Sequence, residues 1–223
     1  MTMQDGGGYD TMIKTKFRET AMKKKELLRL SVILMVLYAV FTACHAPRSA
    51  RISPALPPGD SRSKPEMRAA ELEKRIHVLV NVERKKHGLS SLAWNDMLGS
   101  IARKHSSDMA KRGYFSHVSQ DGHDFSHRYK QEGYQCEVRG QRNVYYTGGE
   151  NIFQNNLYDK VTITNGVRRY DWNSVDRIAE TTVDGWMNSP GHRKNILMPY
   201  WVSEGIGVSV SPDDKVYITQ NFC

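Results

Sequence analysis

Fourteen consecutive uncharged residues, 30–43, follow a basic cluster of Lys23, Lys24, Lys25 and Arg29. As a helix they would reach about 21 Å at ~1.5 Å per residue, short of the ~30 Å hydrocarbon core of a bilayer. A basic segment followed by a short apolar one is the pattern of a secretory signal peptide. Residues 1–43 are read as a signal-peptide region, with Met22, directly before the lysines, as an alternative start of ordinary signal length. The stretch ends Phe41-Thr42-Ala43-Cys44. Small residues before a cysteine resemble a lipoprotein cleavage site, which would make Cys44 a lipidated N-terminus; an uncut signal anchor is the alternative. Either way the rest of the chain is expected outside the cell, secreted or held at the outer face of the membrane.

Export bears on the cysteines, of which there are three. With Cys44 lipidated, Cys136 and Cys223 remain as a pair that an oxidising compartment would let bridge. Two buried free thiols are the other reading. Charge excludes one class of partner. Residues 1–43 hold seven Lys/Arg and four Asp/Glu, leaving a net charge of +5 on residues 44–223, with bases spread among acids. A nucleic-acid binder gathers its positive charge along one helix or face, so no nucleic-acid partner is expected; separately, the chain is expected to be a monomer.

Residues 44–64 include Pro47, Pro54, Pro57, Pro58 and Gly59 and read as a tether. The domain is assigned to residues 65–223. Ser63 and Glu66, with Pro65 between them, predict a capping box and a helix start. That helix carries Leu72, Ile76, Leu79 and Val80 at helical spacing, runs to about Lys86 and stops at Gly88. A second helix, from about Asn95 to Gly113, buries Leu98, Ile101, Ala102, His105 and Met109. A short third covers about residues 124–132. A fourth, from about Ser174 to Asn188, turns Val175, Ile178, Ala179, Thr182, Val183 and Trp186 to one side. Ile206, Val208 and Val210 alternate before the turn Ser211-Pro212-Asp213-Asp214, and residues 216–221 return as a hairpin. A smaller hairpin is expected at Asn165-Gly166. Three or four helices with a mainly antiparallel sheet give an α+β fold, an α-β-α sandwich.

Four segments carry the functional signal. They are Gly113-Tyr114-Phe115-Ser116-His117, Gly148-Gly149-Glu150-Asn151-Ile152, the run from Gly185-Trp186 through Ser189-Pro190-Gly191-His192-Arg193 to Leu197, and Tyr217-Ile218-Thr219-Gln220-Asn221. With Asn81, Arg84 and Gly88-Leu89 they resemble, in order, the CAP superfamily of cysteine-rich secretory, antigen 5 and pathogenesis-related class 1 proteins (SCP-like domains), and its prokaryotic branch most. The resemblance covers about residues 75–223. It implies a central cleft lined by two histidines and two acids: His117, His192, Glu150 and, where the family pattern has a Glu shortly before a Trp, Asp184. Asp is one methylene shorter than that Glu.

The chemistry can be argued from the residue types. Two neutral imidazoles, His117 and His192, offer lone pairs to a borderline cation such as Zn²⁺. A carboxylate beside a histidine fixes its tautomer and raises its basicity. Gly148 and Gly149 allow torsions that bring Glu150 close. Ser189 as N-cap and Pro190 as first helical residue place His192 in a first helical turn, where the helix dipole disfavours its protonated form. Three readings stay open: a buried polar network that only joins helices to sheet, reversible divalent-metal binding, and a catalytic centre. The preferred function is an exported, surface-tethered domain, non-enzymatic or weakly enzymatic, that binds a cell-surface, lipid or small-molecule ligand in its cleft, with a divalent metal as an optional cofactor. The alternatives are a zinc-dependent hydrolase in which Glu150 activates water, and a sterol- or lipid-binding module. Elsewhere, His123 and His127 are read as surface histidines or a helical metal pair, and His105 as a packed, hydrogen-bonded residue. Trp94, Trp186 and Trp201 are read as core or cleft wall. Residues 153–171, with Tyr158 and Tyr170 and the neighbouring Trp172, are an insertion that borders the cleft or stands on the surface.

Overall fold

The structure, a computed structural model, describes residues 63–223. The signal region, Met22, Cys44 and the tether up to residue 62 lie outside the described residues.

Each helix is bounded by local chemistry. The first, α1 (Ala69–Lys86), buries Leu72, Ile76 and Val80, a 3.6-residue stripe. It ends at Gly88, where Leu89 N–H reaches back to the Arg84 carbonyl at 3.0 Å. The capping box expected at Ser63 and Glu66 does not open it. Arg68 is the N-cap, without a side-chain cap bond. Pro65 disfavours helical torsions just before it, Leu72 is the first fully buried side chain, and Lys64 is drawn aside to contact Asp214. The second helix, α2 (Asp96–Arg112), starts at Asn95, whose side chain accepts the Leu98 N–H at 3.0 Å, and stops at Gly113. The third, α3 (Phe125–Gln131), is capped by Asp124 through the His127 N–H. The fourth, α4 (Val175–Asn188), is capped by Ser174 through the Arg177 N–H. A short α5 (Pro190–Ile196) follows at once. Ser189 occupies its N-cap position, but its hydroxyl makes no cap bond.

The central sheet has four strands. They are β1 (Ala93–Trp94), β4 (Gly149–Asn156), β7 (Ser203–Val210) and β8 (Lys215–Phe222), in spatial order β1-β7-β8-β4. Only β1 runs parallel to its neighbour. On one face lie α1 and α4, around Ile76, Ile178, Val183, Trp186, Ile206 and Ile218. On the other lies α2, pressed so close that a Cβ added at Gly207 would sit 2.0 Å from the Arg103 amide nitrogen. The result is an α-β-α sandwich, as the sequence predicts.

Two small ribbons complete the fold: β2 (Val138–Arg139) with β3 (Tyr145–Tyr146), and β5 (Tyr158–Thr164) with β6 (Val167–Trp172). The second turns at Asn165-Gly166, both in the left-handed region. A disulfide joins Cys136 to Cys223, across 87 residues of sequence.

Candidate functional site

The site lies at the first residues of β4, an edge strand of the central sheet. Gly148, with φ +121°, leads into it, and a Cβ there would lie 2.6 Å from the Tyr129 ring. Only glycine allows this approach. Successive β4 side chains point to opposite faces. Glu150 pairs in register with Asn221, whose side-chain amide bonds the Leu98 carbonyl on the α2 side. Asn151 points to the other side and holds α5, donating to the His192 carbonyl at 3.2 Å and accepting from Asn195 at 2.9 Å. Asn195 also donates to the Glu150 carbonyl. From the far end of α5, buried Arg84 donates to the Ile196 and Met198 carbonyls at 2.7 and 2.9 Å. Arg84 is thus a helix-end staple that fixes the element carrying His192.

Glu150 is engaged through both oxygens. His117 donates Nδ1–H to Oε1 at 2.9 Å, and Arg128 donates Nη2–H to Oε2 at 2.5 Å. The Glu150 side chain is 1% exposed, whereas that of His117 is 48% exposed. Arg128 also donates to the His117 and His123 carbonyls, binding the loop after α2 to α3. The ring of His192 stands across from that of His117, centroids 6.0 Å apart. Burial, and then the neighbouring His117, lower the pKa of His192 and favour its neutral form.

His117 and His192 are the residues here that could hold a divalent cation. With Nδ1 bound to Glu150, His117 keeps Nε2 for an ion, and the carboxylate behind it orients the ring as carboxylates do for metal-binding imidazoles. A ring centre lies about 3 Å from a cation bonded at ~2.1 Å, so rings 6.0 Å apart can share one. Among the described residues no group of three His, Cys, Asp or Glu could hold a metal. Two imidazoles are therefore what the described residues offer here.

Asp184 is not brought to this cluster. It is exposed on α4 and makes no hydrogen bond or ion pair among the described residues. Helical phase is the reason. Trp186 donates its indole N–H to the Ile152 carbonyl of β4, and a residue two positions away points nearly opposite. The His123 and His127 rings stack in parallel at 3.7 Å, an arrangement that does not converge their nitrogens on one point. His105 is buried and donates to the Ser116 carbonyl at 3.0 Å. The wall residues divide: Trp186 is wholly core, and the Trp201 ring lies against Gly149. Residues 158–172 leave from the opposite end of β4 and stand on the surface.

Sequence reasoning missed Arg128. The partners that tie it to the site, His117 and Glu150, lie 11 and 22 residues away in the chain, so no local spacing announces it. A second missed group runs through the sheet. His77 donates to Glu204 at 2.6 Å, Gln220 bonds both Glu204 and Asn151, and Asn151 reaches α5. Beside Arg128 a pocket of about 280 Å³ opens between α2 and α3, lined by His105, Asp108, His123 and Glu132 among others.

The family model for the cysteine-rich secretory protein family (CAP) matches residues 78–222. The uncharacterized membrane protein YlbC of Bacillus subtilis (strain 168) is 37% identical over 150 residues, which is 67% of this chain and 34% of that protein. The uncharacterized protein YkwD of the same organism is 32% identical over 136 residues, 60% of this chain and 41% of that one. The chain thus spans well under half the length of either relative. Among solved structures, an extracellular SCP-domain protein from Bacillus anthracis str. Ames is 28% identical, with a TM-score of 0.49, covering 72% of this chain and 44% of that one. An outer surface protein from Borrelia burgdorferi shares 15% identity and a TM-score of 0.50, over 72% of this chain and 97% of that one. With the family model spanning well over half of its residues, the chain belongs to the cysteine-rich secretory protein (CAP) family.

Proposed function

We propose that this CAP domain works outside the cell, tethered at the surface, as a binding module whose cleft holds a divalent cation of the zinc class between His117 and His192. The facing imidazoles carry the reading. One is oriented by a buried carboxylate with its second nitrogen free, and the other is kept neutral by burial. A cation held there completes its shell with oxygen or nitrogen atoms of a ligand or water, which gives a cell-surface ligand its point of attachment. The extracellular setting is supported by the leader, by the disulfide, which needs an oxidising compartment, and by a relative named as a membrane protein.

The hydrolase reading gains less. A general base must reach the water it activates. Glu150 is buried with both oxygens taken, and so acts as a positioning residue for His117. Calorimetric zinc titration of the wild type and of His117→Ala and His192→Ala tests the proposal. One equivalent bound by the wild type and lost in each variant is expected; equal binding by all three would overturn it.

A further inference from the structure

Lys64 and the β5–β6 hairpin share one root. Lys64, where the chain enters the described fold, contacts the Asp214 carboxylate. The Asp214 carbonyl accepts the Leu157 N–H at 2.8 Å, and the Leu157 carbonyl accepts the Asn173 N–H at 2.8 Å. Leu157 and Asn173 are the two feet of the hairpin. Glu150 lies six residues before Asn156 on the same strand, about 20 Å off at ~3.4 Å per residue.

The hairpin pairs only with itself in the described sheets. Near its base the rings of Tyr158, Tyr170 and Trp172 pack together, Tyr170 stacking on Trp172 at 4.9 Å. Its outer half has no such support. Ile163 is 63% exposed and Val167 60%. Ile163 stands opposite Arg168, Thr162 opposite Arg169, and Thr164 opposite Val167. Strand alternation then puts one aliphatic side chain and one arginine on each face of the tip. Residues 160–170 contain no acid, and neither arginine makes a hydrogen bond or ion pair among the described residues.

We propose that this hairpin is a membrane-contact arm. Its tip seats on the anionic headgroup layer of the bilayer to which the domain is tethered, with Arg168 and Arg169 on lipid phosphates and Ile163 and Val167 in the interfacial layer. The inference rests on the surface-tethered reading above. A second copy of the chain is a poorer occupant, because short edges bearing Asp159, Lys160, Arg168 and Asp171 oppose strand-to-strand pairing. Because the arm leaves from the end of β4 opposite Glu150, a tip seated on the bilayer turns the His117–Glu150–His192 cleft away from it.

Hydrogen exchange of the full chain tests this, with vesicles of phosphatidylcholine alone or with added phosphatidylglycerol. Protection of residues 162–169 is expected only with the anionic lipid. It should weaken about fivefold for each arginine neutralised in Arg168→Gln and Arg169→Gln, and fall also in Ile163→Ser. Equal exchange in both vesicle types, or protection that follows protein density instead of lipid charge, would overturn the arm; the latter would assign it to self-association. The tether is read separately, by whether the chain stays with phosphatidylcholine vesicles in high salt. A chain that does not stay is still tested for the arm by adding anionic vesicles to it in solution.

Discussion

Arg128 and His117 grip opposite oxygens of one buried carboxylate, that of Glu150, at 2.5 and 2.9 Å. The loop that delivers His117 and the helix that delivers Arg128 are thereby fixed to the first residues of β4. Glu150 is both a structural anchor and the group that sets the direction of the His117 ring.

Removing the arginine should therefore be severe. Arg128→Ala leaves Glu150 buried without its cation, and a loss of about 3–5 kcal/mol is expected in urea unfolding. Arg128→Lys should recover only part of it, since one ammonium cannot serve Glu150 and two carbonyls as the guanidinium does.

Glu150→Gln separates anchoring from tuning. The amide keeps the volume but no longer strengthens His117 as a ligand. Zinc affinity should fall about 10–100-fold by calorimetry. Undiminished affinity would mean that Glu150 only holds the fold.

Two histidines make stability pH-dependent. Burial, the largest cause at each site, lowers the pKa of His105 and of His192 below the ordinary value. The unfolded chain then binds more protons, so their contribution is complete above about pH 6.5 and is lost as pH falls through their depressed values. Urea midpoints should drop across that window, and His192→Ala should flatten the slope. Cation binding should weaken over the same range, because protons compete for the same nitrogens.

The disulfide closes a long loop. Its loss in Cys136→Ser/Cys223→Ser should lower stability by about 4–5 kcal/mol in the chain-entropy model. Hydrogen exchange should show the effect first at Val202 and Ser203, whose N–H groups bond the Cys223 carbonyl.

Close packing of α2 on β7 gives a steric test. At Gly207 a Cβ would meet backbone atoms of Ala102 and Arg103 that cannot step aside, so Gly207→Ala should cost about 3 kcal/mol or more. Gly191→Ala, with nothing within 4 Å, should stay within about 0.5 kcal/mol.

What was legible in the sequence was local. Asn95, Asp124 and Ser174 announce their helices because a cap acts within three residues, and Asn165-Gly166 announces its turn for the same reason. The failure at Ser63 shows the limit. A capping motif starts a helix only where the chain after it takes helical torsions, and here Pro65 and the Lys64–Asp214 contact act against them before Arg68. His117, Glu150 and His192 were legible through the resemblance of their motifs to the family, not through any pattern of spacing. Arg128, Glu204 and Asn195 were not, because each acts on a residue that only the folded sheet brings near. Asp184 was placed by its distance from a tryptophan, and helical phase turned it away.

The order of the sheet decides when the candidate site can exist. Among the described strands, β8 lies between β7 and β4 and is the only one that pairs with both. Until residues 215–222 are in place, β4 and Glu150 have no strand to pair with. The site is therefore not a local motif that could form ahead of the domain; it comes into being only as the sheet closes.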